Sequence, residues 1–141
     1  MEIIRIRNYE EERILPLYED CGWTNYTDNP GMLMRAWMHS LVSYAAYEDD
    51  ELVGIIRCVG DGASIIYIQD LMVKPEYQRR GIGTRLVEKV VEDWPDVYQM
   101  VLMTDDTPKS VSFYNSLGFR RSDTLGCVTF LRIVTDGPDA G

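Results

Sequence analysis

The sequence predicts a mixed α/β (α+β) fold, in which helices flank one β-sheet. An apolar run over residues 63–73, a helical pattern over 81–93 and a second apolar run over 98–103 form a strand–helix–strand unit. The two strands of such a unit are expected to pair in parallel. Ahead of this unit, an acidic turn at residues 49–51 joins two strand-like runs into an antiparallel hairpin. A sheet with both kinds of pairing is mixed, and it needs helices to cover its faces.

Local signals at the ends of the first elements predict where those elements begin. The partly alternating residues 3–7 are predicted to form a strand. Asn8 is expected to cap a helix over residues 9–20, whose first turn is acidic. Residues 22–31 are expected to form a loop that ends in a turn signal at 29–31. Apolar residues then recur at helical spacing over 32–40 and predict a second helix. The hairpin strands are then expected over residues 41–48 and 52–59.

The C-terminal third contains one more helix and two expected strands. Thr107 is a good N-cap and Pro108 suits the first helical position, so a helix is predicted to begin there and to end at Gly118. Residues 119–121 and 125–134 are predicted to form the final strands. The predicted order is therefore β-α-α-β-β-β-α-β-α-β-β.

The length and charge of the chain limit its organisation and its partners. A chain of 141 residues fits one domain, which we predict over residues 1–134 with a frayed tail at 135–141. The 14 basic and 23 acidic residues give a formal net charge of −9. A negative field disfavours binding to nucleic acids and to anionic membranes, so we expect neither partner.

Cysteine and histidine usage disfavours several kinds of site. Cys21, Cys58 and Cys127 are odd in number and widely spaced, which argues against a disulfide framework. With no CxxC pair and His39 as the only histidine, we expect no metal. A Cys–His nucleophile is disfavoured because His39 fits an amphipathic helix. The sequence has neither a signal-peptide pattern nor a long apolar span, and it predicts a cytoplasmic protein.

The stretch that points to chemistry is QRRGIGT at residues 78–84, between a predicted strand and a predicted helix. A helix N-terminus presents unpaired backbone N–H groups and a partial positive charge. Glycine lets an anion approach these groups closely, and Arg79 and Arg80 add positive charge. The combination predicts a phosphate-binding turn. The stretch lacks the lysine of a Walker loop and the third glycine of a dinucleotide fingerprint.

This stretch resembles the pyrophosphate-binding signature of the GCN5-related N-acetyltransferase (GNAT) family. It follows DLMVKP at residues 70–75, similar to the strand that precedes this loop in the family. FYNSLGF at residues 113–119 resembles a second signature of the family, in the expected order and spacing. The resemblance extends from about residue 65 to residue 119 and implies a sheet that is splayed at its middle, with acetyl-CoA in the split as cosubstrate.

The resemblance also implies roles for named backbone groups and side chains. The acetyl and pantetheine portion would be bound by the backbone of Leu71, Met72 and Val73. The pyrophosphate would be held by the backbone amides of Arg79, Arg80, Gly81, Ile82, Gly83 and Thr84. Tyr114 corresponds to the tyrosine near the coenzyme sulfur and is expected to act as general acid. A backbone N–H near Met72 or Val73 would polarise the acetyl carbonyl.

The general base is less clearly indicated. Leu102 stands where some family members carry a glutamate, so that candidate is missing here. Asp70 is the alternative, acting directly or through water. Strand alternation is expected to place Gln69 and Asp70 on opposite faces. Asp105 and Asp106 are better explained as a solvated turn. Thr107 replaces an asparagine that often contacts the cofactor in relatives.

The expected reaction is direct attack by a primary amine in a ternary complex. The acceptor is expected to be a small-molecule amine, bound by residues 21–40 and the last hairpin, with Trp23, Tyr26 and Trp37 available to line its pocket. Acetylation of a protein N-terminus or lysine is one alternative, and a noncatalytic acyl-CoA-binding module is another. The resemblance also implies a homodimer through the C-terminal strands.

Overall fold

A computed structural model describes residues 1–133 and contains a five-stranded mixed sheet with strand order β1-β2-β3-β4-β5. β1 to β4 pair antiparallel in sequence, and β4 pairs with β5 in parallel. The strands are β1 Glu2–Ile6, β2 Val42–Glu48, β3 Glu51–Gly60, β4 Ile65–Val73 and β5 Gln99–Leu102. The helices are α1 Glu11–Asp20, α2 Thr24–Thr27, α3 Pro30–Met38, α4 Ile82–Asp93 and α5 Pro108–Ser116. This arrangement confirms the predicted fold class.

Helices cover both faces of the sheet because neighbouring strand residues point to opposite sides. Ala45 and Ile55 belong to the core under α1 to α3, which includes Leu17 of α1. On the other face, the Tyr44 hydroxyl donates to Asp93 of α4 at 2.7 Å. The core is therefore distributed on two sides of β2 and β3.

Glycine at position 54 of β3 allows α4 to lie close to the sheet. A Cβ at Gly54 would meet side-chain atoms of Ile82 and Leu86 at 3.4 Å and the Met72 carbonyl oxygen at 3.0 Å. Ile82 and Leu86 are both buried. The start of α4 therefore packs directly on β3, next to β4.

Two sequence predictions about the first helices are wrong. Asn8 does not cap α1, which begins at Glu11 after Glu10 and has no side-chain cap in the described part of the chain. The short helix α2 lies within the segment that was expected to be a loop. The Asn29 side chain caps α3, because its oxygen accepts from the Met32 N–H at 3.3 Å.

The two predicted C-terminal strands are absent from the described residues. Residues 119–121 and 125–133 form no strand, a 3-10 helix occupies Ser122–Leu125, and Val134 lies outside the described residues, as does the predicted tail at 135–141. Strand propensity reflects a side chain's fit to a pleated, half-buried surface. Phe130 has no such surface, since it is 94% exposed. The β-branched and aromatic composition of this segment therefore misled the prediction.

The chain divides into two compact units, residues 1–103 and residues 104–141. The first contains the whole sheet with α1 to α4, and the described part of the second contains α5 and the 3-10 helix. Over residues 1–133, no helix has both the length and the apolar character needed to cross a membrane.

Candidate active site

The sheet splits between β4 and β5, which pair only over Ile65–Ile68 of β4. β5 ends at Leu102, opposite Ile68, whereas β4 continues to Val73. The backbone of residues 69–73 therefore has β3 on one side and, among the described strands, no neighbour on the other. Strand-edge N–H and C=O groups bind an extended chain readily. Leu71, Met72 and Val73, the predicted cofactor-binding residues of β4, all lie on this edge.

A β-bulge lies at the start of the unpaired stretch. In the β3–β4 ladder Arg57 lies opposite Asp70 and Cys58 lies opposite Ile68, so the register passes over Gln69. An extra residue of this kind interrupts the alternation of side chains along a strand. The predicted opposite orientation of Gln69 and Asp70 is therefore wrong. Both side chains reach the Tyr26 hydroxyl, at 3.5 Å from Gln69 Nε2 and 3.2 Å from Asp70 Oδ1.

Asp70 lies in a buried polar network between β4 and the first helices. It is 0% exposed, and its Oδ2 accepts from Arg57 Nε at 2.7 Å and from the Tyr18 hydroxyl at 2.7 Å. Trp37 Nε1 in turn donates to the Tyr18 hydroxyl at 3.1 Å. Burial, followed by the nearby Asp70 charge, raises the pKa of Tyr18 strongly, so this phenol stays protonated. Both carboxylate oxygens of Asp70 therefore accept hydrogen bonds, and Arg57 balances its negative charge.

Sequence reasoning identified Asp70 but missed its partners Arg57 and Tyr18. A signal for Arg57 was present, because it is a single charge in the otherwise apolar interior of β3. A charge in a buried strand needs an opposite charge nearby, and Asp70 is the acidic residue of β4. In this conformation Asp70 has no exposed atom surface with which to touch an acceptor. The predicted role of Asp70 as base would therefore require Tyr18, Tyr26 or a water molecule as intermediary.

The turn before α4 has the geometry of an anion site. A 3-10 helix over Pro75–Tyr77 leads into Gln78, Arg79 and Arg80, and Gly81 lies at the N-cap of α4 in the left-handed region with φ of 79°. Within residues 1–133, no side chain caps this helix and its first turn carries no acidic residue. The Arg85 N–H donates to the Gly81 carbonyl at 3.1 Å, at the start of the helix. The N–H groups of Ile82, Gly83 and Thr84 are the ones that a helix leaves for another acceptor.

The two arginines of this turn are exposed and differ in conformation. Arg79 has a positive φ of 66°, which is uncommon for a residue with a side chain. The Arg80 guanidinium lies 5.0 Å from the centre of the Tyr77 ring. Gln78 Nε2 donates to the Val73 carbonyl at 3.1 Å and so joins the turn to the end of β4. The unpaired edge and the anion site are therefore adjacent parts of one continuous stretch.

Tyr114 belongs to the second compact unit, where it packs between two phenylalanines. Its ring lies edge-on to Phe113 at 4.9 Å and to Phe119 at 6.1 Å between ring centres. Burial raises the pKa of Tyr114 above its usual 10.0. Thr107 caps α5 by accepting from the Ser110 N–H at 3.2 Å, as predicted. The side chain predicted to act as acid is thus a protonated phenol at neutral pH.

Other groups in the described chain fit the site less well. Lys74 follows β4 directly, but its ammonium is paired with Glu51 at 3.1 Å and with Asp20 at 3.5 Å. Burial raises the pKa of Cys58 to about 12, which disfavours a thiolate nucleophile. Residues 1–133 contain no cluster of three or more His, Cys, Asp or Glu residues that could hold a metal ion. The expected lack of a metal stays a prediction.

A cavity of about 540 Å³ lies away from the split. Its walls come from the end of β1, the end of α3 and the start of β2, including Arg7, Trp37 and Ser43. β1 and β5 are the opposite edges of the sheet, so the cavity is on the far side from the β4–β5 split. We place the candidate site at the split, because its unpaired backbone and uncapped helix are chemically specific.

Comparison with known proteins indicates the family of the chain. Residues 23–135 match the family model described as an acetyltransferase (GNAT) domain. A GNAT-family acetyltransferase from Streptococcus pneumoniae TIGR4 is 42% identical over 94% of this chain and 96% of its own, with a TM-score of 0.86. An aminoglycoside acetyltransferase from an uncultured soil metagenomic sample is 25% identical over 96% of this chain and 98% of its own, with a TM-score of 0.72.

Curated relatives are matched over shorter stretches. The uncharacterized ycf52-like N-acetyltransferase of Prochlorococcus marinus is 27% identical over 82% of this chain, and the chloroplastic GCN5-related N-acetyltransferase 2 of Arabidopsis thaliana is 38% identical over 51%. The chain covers 65% of the length of the first and 28% of the second. Because the family model matches residues 23–135, which is most of the chain, the chain belongs to the GNAT acetyltransferase family.

Proposed function

We propose that this protein transfers the acetyl group of acetyl-CoA to the primary amine of a small molecule by direct attack in a ternary complex. The observation that carries the proposal is the continuity of an unpaired strand edge, residues 69–73, with the uncapped N-terminus of α4. An extended, amide-containing chain with a diphosphate at one end fits both features together. The pantetheine arm of coenzyme A has this chemistry.

We assign one group of the chain to the carbonyl oxygen of the thioester and another to its sulfur. Bound acetyl-CoA supplies a thioester, whose carbonyl carbon is attacked by the neutral amine while the carbon–sulfur bond breaks. A backbone N–H near Met72 or Val73 donates to the carbonyl oxygen as negative charge develops on it, an effect of about 3–4 kcal/mol in oxyanion holes. The Tyr114 hydroxyl gives its proton to the leaving sulfur. Because burial raises its pKa, the phenol is in its donating form at neutral pH.

The proton of the attacking amine needs an acceptor. An alkyl ammonium with a pKa near 10.4 is less than about 0.1% neutral at pH 7. We propose that Asp70 acts as the general base indirectly. The hydroxyls of Tyr18 and Tyr26 lie at 2.7 and 3.2 Å from its carboxylate oxygens. Since the Asp70 carboxylate is fully buried, the amine proton passes either to water or to one of these hydroxyls, which then gives its own proton to Asp70.

Charge and similarity support a cationic small-molecule acceptor. The chain carries a net charge of −9, which attracts amines and aminoglycoside-like polycations. The relative named as an aminoglycoside acetyltransferase is similar over nearly the whole chain. Acetylation of proteins is the alternative supported by relatives named histone acetyltransferase, 34% identical over 60% of this chain, and N-alpha-acetyltransferase 30, 36% identical over 69%. A noncatalytic acyl-CoA-binding module is the third candidate.

Two measurements together separate these candidates. Thiol release from acetyl-CoA is measured with polyamines, aminoglycosides, aromatic amines, lysine peptides and free N-terminal peptides, and coenzyme A affinity is measured by calorimetry. Turnover with a small amine is expected. Turnover with peptides alone supports the protein acetyltransferase, and tight coenzyme A binding without turnover on any acceptor supports the binding module. Folded protein without coenzyme A affinity contradicts all three.

We also propose a homodimer formed through the C-terminal segment, residues 125–133. This segment exposes the apolar side chains Leu125, Val128, Phe130, Leu131 and Ile133. Several exposed apolar side chains within one short segment are typical of a contact site. A cytoplasmic location and the lack of nucleic-acid and membrane partners stay predictions from charge and sequence pattern.

A further inference from the structure

We propose that Tyr26 is a positioning residue for acetyl transfer, because its hydroxyl joins the acceptor-side helices to the β-bulge of β4. This inference rests on the proposed function and gives Tyr26 a role separate from that of a proton intermediary beside Asp70. Tyr26 lies in α2, within the segment predicted to line the acceptor pocket. Gln69 and Asp70, its partners in β4, lie at the bulge just before the residues proposed to hold the acetyl group.

The Tyr26 hydroxyl is the point at which three polar side chains meet. It donates to Asp70 Oδ1 at 3.2 Å, and it can accept from Arg57 Nη2 at 3.4 Å and from Gln69 Nε2 at 3.5 Å. A hydroxyl has one proton to donate and two lone pairs to accept, so this arrangement uses its full capacity. Replacing the hydroxyl would leave three groups around Tyr26 without this partner.

Aromatic contacts fix the Tyr26 ring in the helical layer. The ring stacks on Trp23 with centres 5.9 Å apart and an interplanar angle of 19°. It also meets the Tyr18 ring edge-on at 5.3 Å. Trp23 is partly exposed, whereas Tyr26 is buried. A displacement of the Trp23 ring on acceptor binding would therefore be transmitted to the Tyr26 ring.

The bulge is the part of β4 that most needs an outside contact. The β3 register passes over Gln69, and β5 ends opposite Ile68, so neither neighbouring strand holds this residue in a ladder. Tyr26 restrains it through the Gln69 amide and, one residue later, through the Asp70 carboxylate. Leu71 and Met72 follow directly and are paired with β3, so the restraint at the bulge adds to this ladder in orienting their backbone. A small displacement of a carbonyl-polarising N–H is enough to lower turnover strongly.

The test compares two Tyr→Phe variants that each remove one buried hydroxyl bonded to a carboxylate. Tyr26→Phe removes the proposed link, and Tyr44→Phe removes the hydroxyl that donates to Asp93 on the opposite face of the sheet. We expect Tyr26→Phe to lower kcat by about tenfold while the KM for acetyl-CoA and the Kd for coenzyme A change by less than about twofold. Tyr44→Phe is expected to leave kcat within about twofold.

Backbone hydrogen exchange of residues 66–73 gives a second readout that does not depend on turnover. Faster exchange in Tyr26→Phe than in Tyr44→Phe is expected, because the bulge loses its restraint. An unchanged kcat in folded Tyr26→Phe overturns the positioning role, and equal exchange in the two variants overturns the restraint of the bulge. If the unchanged protein binds coenzyme A but acetylates no amine, the proposed function fails, and the exchange comparison alone decides whether Tyr26 holds the bulge.

A coupling measurement distinguishes positioning from general loss of stability. The double variant Tyr26→Phe with Gln69→Ala is expected to have a kcat close to that of the slower single variant, because both changes break one link. Multiplicative losses of kcat would show that the two side chains act independently and would contradict the proposal.

Discussion

Arg57 and Asp70 form a fully buried ion pair in the middle of the sheet. Arg57 is 3% exposed, and its Nε lies 2.7 Å from Asp70 Oδ2. The desolvation cost of two buried charges offsets much of their attraction, so the pair itself adds little net stability. Loss of one partner alone, in contrast, would strongly destabilise the fold. The remaining charge would then be buried without compensation.

We therefore expect Asp70→Asn to lower the free energy of unfolding by about 3–5 kcal/mol, the usual cost of leaving a buried charge unpaired. Urea unfolding at pH 7 measures the change. The double variant Arg57→Met with Asp70→Leu should lose less than Asp70→Asn alone, because it removes both charges. Asp28→Asn, at an exposed position, is the control and should change stability little. A loss below about 1 kcal/mol for Asp70→Asn would contradict the importance of this pairing.

Tyr114 leads to a prediction about pH. A general acid donates only while protonated, and burial raises the pKa of Tyr114 above 10.0. Loss of the acid form should therefore lower kcat only above about pH 10. A pH–rate profile that falls with a midpoint below pH 9 would contradict this assignment. Tyr114→Phe should lower kcat across the profile, by about a hundredfold, and leave the coenzyme A Kd from calorimetry within about twofold.

At the scale of elements, β4 has two different halves. Over Ile65–Ile68 it is held between β3 and β5, and over residues 69–73 it is held by β3 alone. The first half fixes the strand in the sheet, and the second offers its backbone to a ligand. The uncapped turn before α4 follows within the same stretch of chain. One strand–turn–helix segment thus supplies most of the proposed cosubstrate site.

Gly81 provides a test of this segment, with a matched control elsewhere in the chain. Gly81 and Gly126 both have φ of 79°, and a Cβ on either would meet no described atom within 4 Å. Alanine at either position should therefore cost about 1–2 kcal/mol of stability through backbone strain alone. Only Gly81→Ala should weaken coenzyme A binding, by about tenfold, since its Cβ stands where a phosphate approaches.

Calorimetry and urea unfolding of the two glycine variants separate these effects. Equal losses of stability with an affinity change in Gly81→Ala alone are expected. If coenzyme A binds Gly81→Ala and Gly126→Ala equally well, the α4 N-terminus is not the diphosphate site.

For the molecule as a whole, the exposed C-terminal segment predicts self-association. Burying its apolar side chains against a second copy would remove them from water. Light scattering coupled to size exclusion should give twice the mass of one chain at micromolar concentration. Phe130→Glu should shift the mass toward one chain, whereas Met38→Glu, at another exposed apolar position, should not. A single-chain mass for the unchanged protein would contradict the dimer.

The sequence predicted the elements whose patterns are local. The parallel strands around α4, the hairpin of β2 and β3, and the Thr107 cap all follow from periodicity and turn chemistry within a few residues. The bulge at Gln69 could not be predicted in this way, because it depends on the register between two strands. The Asp70 network likewise joins residues 13 to 52 positions apart, which no local pattern records.

The split edge of β4 has a consequence for how such a protein can evolve. The groups it offers are main-chain N–H and C=O groups, which every amino acid except proline supplies in full. Mutations at Leu71 or Val73 can therefore alter packing without removing a single donor or acceptor from the edge. In the proposed site, residues 21–40 contribute side chains instead, and a substitution there changes which acceptor binds. In the proposed site, relatives can therefore come to use different acceptors through substitutions at residues 21–40, while the backbone of β4 continues to bind the same acyl donor.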